Sequence, residues 1–179
     1  NTMWIKADEH GVFWGQCAEY CGDSHAYMLF RAKALPAEEW EAWLARQKEP
    51  TVVGNGDYTP VMLGQADHGL DADLIKHGTE LFVQNCARCH SVDSRIQTNG
   101  PNLAHFGSRQ AIAAGWLENE PGNLHPWILN PHEVKPGNFM WLGFPDPNDP
   151  RSVQMAGLND ANLTSADVDA LVAYLYTLP

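Results

Sequence analysis

Two short strings hold all four cysteines of this 179-residue chain. One is Cys17-Ala-Glu-Tyr-Cys21-Gly-Asp-Ser-His25-Ala-Tyr-Met28, and the other is Cys86-Ala-Arg-Cys89-His90. The second has the C-x-x-C-H spacing, in which two thiols can bond the porphyrin of a c-type haem and the adjoining imidazole can take its iron. The first gathers two thiols, an imidazole and a thioether on one stretch. Such soft donors suit copper over magnesium, calcium or manganese. A cysteine pair also suits a disulfide, and two cysteines with a histidine suit zinc, although zinc has little use for the thioether of Met28. For Cys86 and Cys89, a zinc knuckle would need a second ligand pair that the neighbouring sequence lacks. A copper-type site followed by a haem site makes a short wire for electrons.

Further residues support the haem reading. Pro101 follows His90 by eleven positions, and its carbonyl can accept from the far ring nitrogen, fixing the tautomer and stiffening the ligand. Downstream stands Pro136-Gly137-Asn138-Phe139-Met140. A His/Met pair fills both axial positions and raises the potential, giving an electron carrier and not a gas-binding haem. Met155 is the second candidate, with Met140 preferred.

These residues need elements to position them. Thr2–Lys6, Gly11–Gly15 and Tyr27–Arg31 read as short strands. A helix starts at Pro36, carries Glu38 and Glu39 in its first turn, places Trp40, Trp43 and Leu44 on one face, and runs to about Lys48. From Glu49 to about Leu70 six Pro and Gly residues interrupt a stretch with no Lys or Arg, which reads as a linker. A second helix begins near Asp71 or Asp73, continues through Leu74, His77, Leu81 and Phe82, and is expected to end just before Cys86. Residues 100–116 mix loop and short helix. Leu124–Leu129 begins another helix, which Pro131, Pro136 and Gly137 break, and the prolines at 145, 147 and 150 make 143–157 an extended loop. The last helix is capped by Thr164 with Asp167 three positions on, and presents Val168, Leu171, Val172, Leu175 and Leu178 as one stripe.

The formal charge of −11, from 22 acidic and 11 basic residues, argues against nucleic acid as a partner. Its acids are spread along the chain, which suits solubility first and attraction of a basic redox partner second. No run of eighteen apolar residues occurs and no signal peptide is read, so none of these residues is expected to cross a bilayer. Haem attachment and persistent copper thiolates point outside the cytoplasm. Seven tryptophans are many for this length. Trp127 could place its indole N–H near a haem propionate, with core packing preferred. His68, His77, His105, His125 and His132 read as surface or packing groups.

The string Gly78-Thr-Glu-Leu-Phe82-Val-Gln-Asn-Cys86-Ala-Arg-Cys89-His90, with Gly100-Pro101-Asn102-Leu103 and Lys135-Pro-Gly-Asn-Phe-Met140, resembles a class I cytochrome c over residues 72–179. The resemblance implies an all-α domain with one haem c bonded to Cys86 and Cys89 and held axially by His90 and Met140. It also implies that the first helix crosses the last at Gly78 and Phe82, near Tyr174. The long proline-rich loop after Met140 departs from the family.

Residues 15–28 resemble the dinuclear copper (CuA) loop of cytochrome oxidase subunit II, and residues 1–48 the C-terminal part of that cupredoxin-like domain. By that resemblance Cys17 and Cys21 bridge two coppers, His25 and Met28 are terminal ligands, and Glu19 gives its backbone carbonyl. The Glu19 side chain would face a magnesium or manganese ion at the boundary with subunit I. The family's second copper histidine and its membrane hairpin lie upstream of the matching part. His10 stands too close to the loop, on the wrong strand, to replace that histidine, so the sequence is expected to be a piece of a longer subunit.

The expected architecture is therefore α+β overall: a partial cupredoxin-like domain at 1–48, a linker at 49–71 that lets the haem domain swing, and a cytochrome domain at 72–179. The expected function resembles that of subunit II of a caa-type haem–copper oxidase, in a membrane complex with its domain on the periplasmic or extracytoplasmic face. Electrons would come from a quinol-oxidising complex or another cytochrome c, pass from haem to copper, and go on to subunit I, beside other membrane subunits, for oxygen reduction. The chain itself would carry electrons without reducing oxygen. A nitrous oxide reductase with a fused cytochrome shares the copper loop but usually has tryptophan where Glu19 stands. A free periplasmic shuttle is the remaining alternative.

Overall fold

The computed structural model describes residues 2–52, 58, 71–146, 149–155, 157–158 and 161–179, with backbone alone at 144–146 and 149–155. Near the N-terminus, β1 (Gly11–Gln16) and β2 (Leu29–Ala34) form an antiparallel pair running from Gly11↔Ala34 to Gln16↔Leu29. Val12, Phe13, Trp14 and Phe30 favour strands, and the ring of Phe30 lies across Gly15, where any side chain would displace it. The strand expected at Thr2–Lys6 does not form. These residues have no sheet partner among the described residues, and Met3, Trp4 and Ile5 are exposed. Tyr27 belongs to a 3₁₀ turn, His25–Tyr27, so the second strand starts at Leu29.

Helix α1 (Ala37–Lys48) has Glu38 and Glu39 in its first turn and Arg46 and Lys48 in its last, each charge complementing the adjacent helix end. Trp40 and Trp43 stack with ring centroids 5.0 Å apart yet remain partly exposed. No residue from 2 to 48 is buried.

The core lies in the second half. Helix α2 (Ala72–Leu81) crosses α6 (Ser165–Tyr176) at Gly78, whose Cα faces the carbonyl of Ala170 and lies against Tyr174. One turn on, the Phe82 ring lies 5.2 Å from that of Tyr174, and both are fully buried. The α6 cap is the reciprocal one expected: Thr164 accepts from the Asp167 backbone N–H while the Asp167 carboxylate accepts from that of Thr164. Helix α2 does not stop before Cys86; Phe82–Cys86 continue it as a π turn. Such widened turns occur frequently at functional sites.

Two short hairpins accompany the helices: β3 (Ala111–Ile112) with β4 (Leu117–Glu118), and, below, β5 with β6. Between them lie α3 (Pro121–Leu129), α4 (Pro131–Val134) and α5 (Phe139–Leu142). Helix α3 begins three residues ahead of Leu124, with Pro121 in its first turn, and Pro131 likewise starts α4 where a break was expected. Proline is tolerated there because the first-turn N–H has no helical partner to lose. The region expected to be an extended loop instead pairs β5 (Phe144–Asp146) with β6 (Asp149–Met155) through an irregular register. Prolines 145 and 150 are compatible with this because both strands are edges.

Most of the expected linker lies outside the described residues. Three of its described members pack on the core of the second half: Val52 is buried, the Thr51 hydroxyl donates to the Val92 carbonyl, and the Tyr58 carbonyl accepts from the Tyr174 hydroxyl.

Candidate haem and copper sites

The π turn delivers Cys86 to the wall of a cavity of about 660 Å³, and the turn that follows brings Cys89 and His90 to the same wall. Phe82, Leu103, Ile112, Leu124, Ile128 and Leu171 supply much of the remaining lining. Burial pushes the Cys86 thiol up to about 12, with Cys89 nearby adding to it. The His90 Nδ1 lies 2.7 Å from the Pro101 carbonyl, to which it donates. Burial lowers the His90 pKa despite that bond, so the ring is neutral at pH 7 with Nε2 left as a lone-pair donor. Gly100 permits the close approach: a Cβ there would lie 2.7 Å from the Cys89 carbonyl and 2.8 Å from the His90 ring.

Met140, on α5, lines the same cavity, as does Trp127. The backbone of Met155 ends β6 opposite Phe144, and its side chain lies outside the described residues. An apolar cavity carrying two thiols, a neutral imidazole and a thioether fits a covalently attached haem with two axial ligands. Two cations that sequence reasoning missed, Arg109 and Lys135, also line it. Both are lowered by burial; Arg109 donates to the Asn102 and Ala104 carbonyls and Lys135 to that of Ala113. Cations set in an apolar wall call for anionic partners, and the carboxylates at a porphyrin rim are of that kind. The signal was present: these are the sole Lys or Arg between Gly100 and Pro150.

The copper string is positioned by the β1–β2 pair. The Cys17 N–H donates to the Met28 carbonyl, so the strands close the loop at its base. Within it, the Cys17 and Cys21 sulfurs lie 3.6 Å apart. Cys21 Sγ is 3.7 Å from His25 Nδ1 and 3.9 Å from Met28 Sδ, and Cys17 Sγ is 3.1 Å from the Glu19 carbonyl. The ligand atoms of Cys17, Cys21 and His25 all lie within 4.8 Å of one another, and His10 is not in that group. All five expected donors therefore converge, and the set fits a copper pair bridged by thiolates. The Cys21 thiol is raised chiefly by its contact with Cys17, so metal uptake releases protons. The Glu19 residue as a whole is exposed.

Two family models match separate parts of the chain. The family model described as "Cytochrome c" matches residues 75–179, and that described as "Cytochrome C oxidase subunit II, periplasmic domain" matches residues 1–35. A cytochrome c oxidase subunit 2 from Alkalihalophilus pseudofirmus is 36% identical over 183 aligned residues, covering 99% of this chain and 42% of that relative. One from Bacillus sp. strain PS3 is 35% identical, with 99% and 44% covered. One from Bacillus subtilis is 36% identical, with 77% and 36% covered. The chain spans under half the length of these curated relatives.

Proposed function

This chain belongs to the cytochrome c family through residues 75–179, and on that footing we propose that it is the electron-carrying part of subunit II of a caa-type haem–copper oxidase. The family implies a haem c, and the likeness of residues 1–35 to the oxidase periplasmic domain implies copper of the CuA type. The observation that carries the reading is the convergence of Cys17, Cys21, His25 and Met28 in a chain that also sets Cys86, Cys89 and His90 on an apolar cavity. When bound, both groups supply reversible one-electron transfer.

The residues have distinct tasks. Cys86 and Cys89 would anchor the haem and His90 and Met140 would hold its iron, while the Pro101 carbonyl fixes the His90 ring. Phe82, Leu124 and Leu171 exclude water from the cavity. Cys17, Cys21, His25, Met28 and the Glu19 carbonyl would hold the copper. Electrons enter at the Cys86–His90 site from a quinol-oxidising complex or another cytochrome c, leave from the Cys17–Met28 loop, and pass to subunit I. The exposed Glu19 residue suits magnesium or manganese at that boundary, because hard cations take oxygen ligands. No helix among the described residues is long and apolar enough to cross a membrane. The domain is assigned to the extracytoplasmic face of a membrane complex with subunit I and other membrane subunits.

The test is rapid-mixing kinetics on the full-length subunit within its oxidase. Reduction is expected first at the haem and then at copper; transfer to subunit I that persists at full rate in Cys21→Ser would contradict the route. In the same preparation Met140→Ala should lose the far-red thioether–iron band while Met155→Ala keeps it; the reverse pattern moves the ligand to β6. Glu19→Gln should spare the copper spectrum, since the carbonyl remains, and lower the bound magnesium or manganese. Unchanged content would leave only the backbone role.

A further inference from the structure

We propose that the haem domain is held against the copper loop by a docking seam, anchored by Arg31 on β2 and Glu118 on β4, which sets how fast electrons cross between the two sites. The seam rests on the functional reading above but is written in contacts of its own. Arg31 donates from both terminal nitrogens to the Glu118 carboxylate, at 2.6 and 3.0 Å, and its guanidinium stacks 4.2 Å over the Trp14 ring. Planar two-pronged pairing of this kind fixes orientation as well as energy. The Arg31 side chain is only 15% exposed, and the pair draws the Glu118 carboxyl below the usual carboxylate range.

Backbone contacts flank the anchor. The Leu29 N–H donates to the Ala114 carbonyl at 3.0 Å, and Tyr27 meets Trp116 edge to face at 4.9 Å. Ala113, Ala114 and Gly115 all have positive φ, at 53°, 58° and 75°. For the two alanines this conformation is strained and persists only where the surroundings impose it. Here it turns the Ala114 carbonyl toward Leu29 and that of Ala113 toward Lys135.

The seam also reaches both ligand loops. The Ser24 hydroxyl, next to His25, donates to the Pro136 carbonyl at 2.5 Å. Gly137, at φ 77°, lies against Asp23 so closely that a side chain there would displace it. Pro136 and Gly137 lead directly to Asn138, Phe139 and Met140 on the haem cavity. One hydrogen bond thus joins the loop of the copper donors to the segment carrying Met140. The transfer is a single electron: one site is oxidised as the other is reduced, and no bond is made or broken. The linker then tethers a domain that docks, and closure of the seam, not length of swing, sets the rate.

The test is a charge exchange in the full-length subunit, read in two ways. Glu118→Arg and Arg31→Glu are each expected to slow transfer from haem to copper about three- to tenfold, with both metal spectra unchanged, and to speed hydrogen exchange at the Leu29 amide. The double exchange should restore both. Unchanged Leu29 exchange and unchanged rate in both single variants, or failure of the double exchange to restore either, would overturn the seam. Absence of haem-to-copper transfer in the unaltered subunit, with Leu29 still protected, would instead sink the functional reading.

Discussion

Replacing both Cys86 and Cys89 by serine should leave the protein without covalently attached haem and without a folded second half. The reason is the size of the space those thiols serve. Without haem the apolar side chains around a cavity of about 660 Å³ lose the group they pack against and face water, and the whole stability of a domain is only about 5–15 kcal/mol. Helix packing around Phe82, Leu124 and Leu171 cannot compensate, because these side chains would then face the void. Haem bound to the denatured, acid-extracted polypeptide should vanish, and helical circular dichroism should fall with it. A double variant that kept native helicity without haem would show that α2 and α6 hold the domain by themselves.

The second large effect is expected at Gly78. An alanine there would push its Cβ into the Ala170 carbonyl oxygen and within 2.7 Å of the carbonyl carbon and 2.9 Å of Tyr174 Cβ. Two opposed contributions must be weighed. Alanine favours an exposed helix interior by about 1 kcal/mol over glycine, whereas overpacking a well-filled contact costs typically 1–3 kcal/mol and sometimes more. Here the obstructing atoms are backbone, which cannot rotate aside, so the cost belongs at or above the top of that range. Gly78→Ala should destabilise the haem domain by about 2 kcal/mol or more, read as a lowered midpoint in denaturant. Equal or greater stability would mean that the two helices can separate freely.

Much of the candidate site was legible in the sequence because it is written in local spacing. Cys17 to Met28 and Cys86 to His90 are strings in which neighbours along the chain are neighbours in space, and the eleven-residue step from His90 to Pro101 closes one loop. The capping pair Thr164 and Asp167 is equally local. What escaped depends on partners far along the chain. The Thr2–Lys6 run has strand-like residues but no neighbour to pair with, and propensity alone does not hold a strand. Residues 143–157 show prolines where a pairing partner within the same stretch decides the outcome. Arg109 and Lys135 drew no assignment from sequence, because only the fold brings them to one cavity wall. The Arg31–Glu118 pair spans 87 positions, a separation at which no periodicity carries information.

The absence of any buried side chain from 2 to 48 bears on the order of assembly. Cooperative unfolding needs a shared interior, and the burial that would provide one is found in the haem domain. A calorimetric transition of this chain therefore belongs to the cytochrome half. Within these residues the copper loop is held at its base by the β1–β2 pair and against its neighbour by Arg31 and Glu118, so its donors are expected to lose their arrangement when the cytochrome half unfolds.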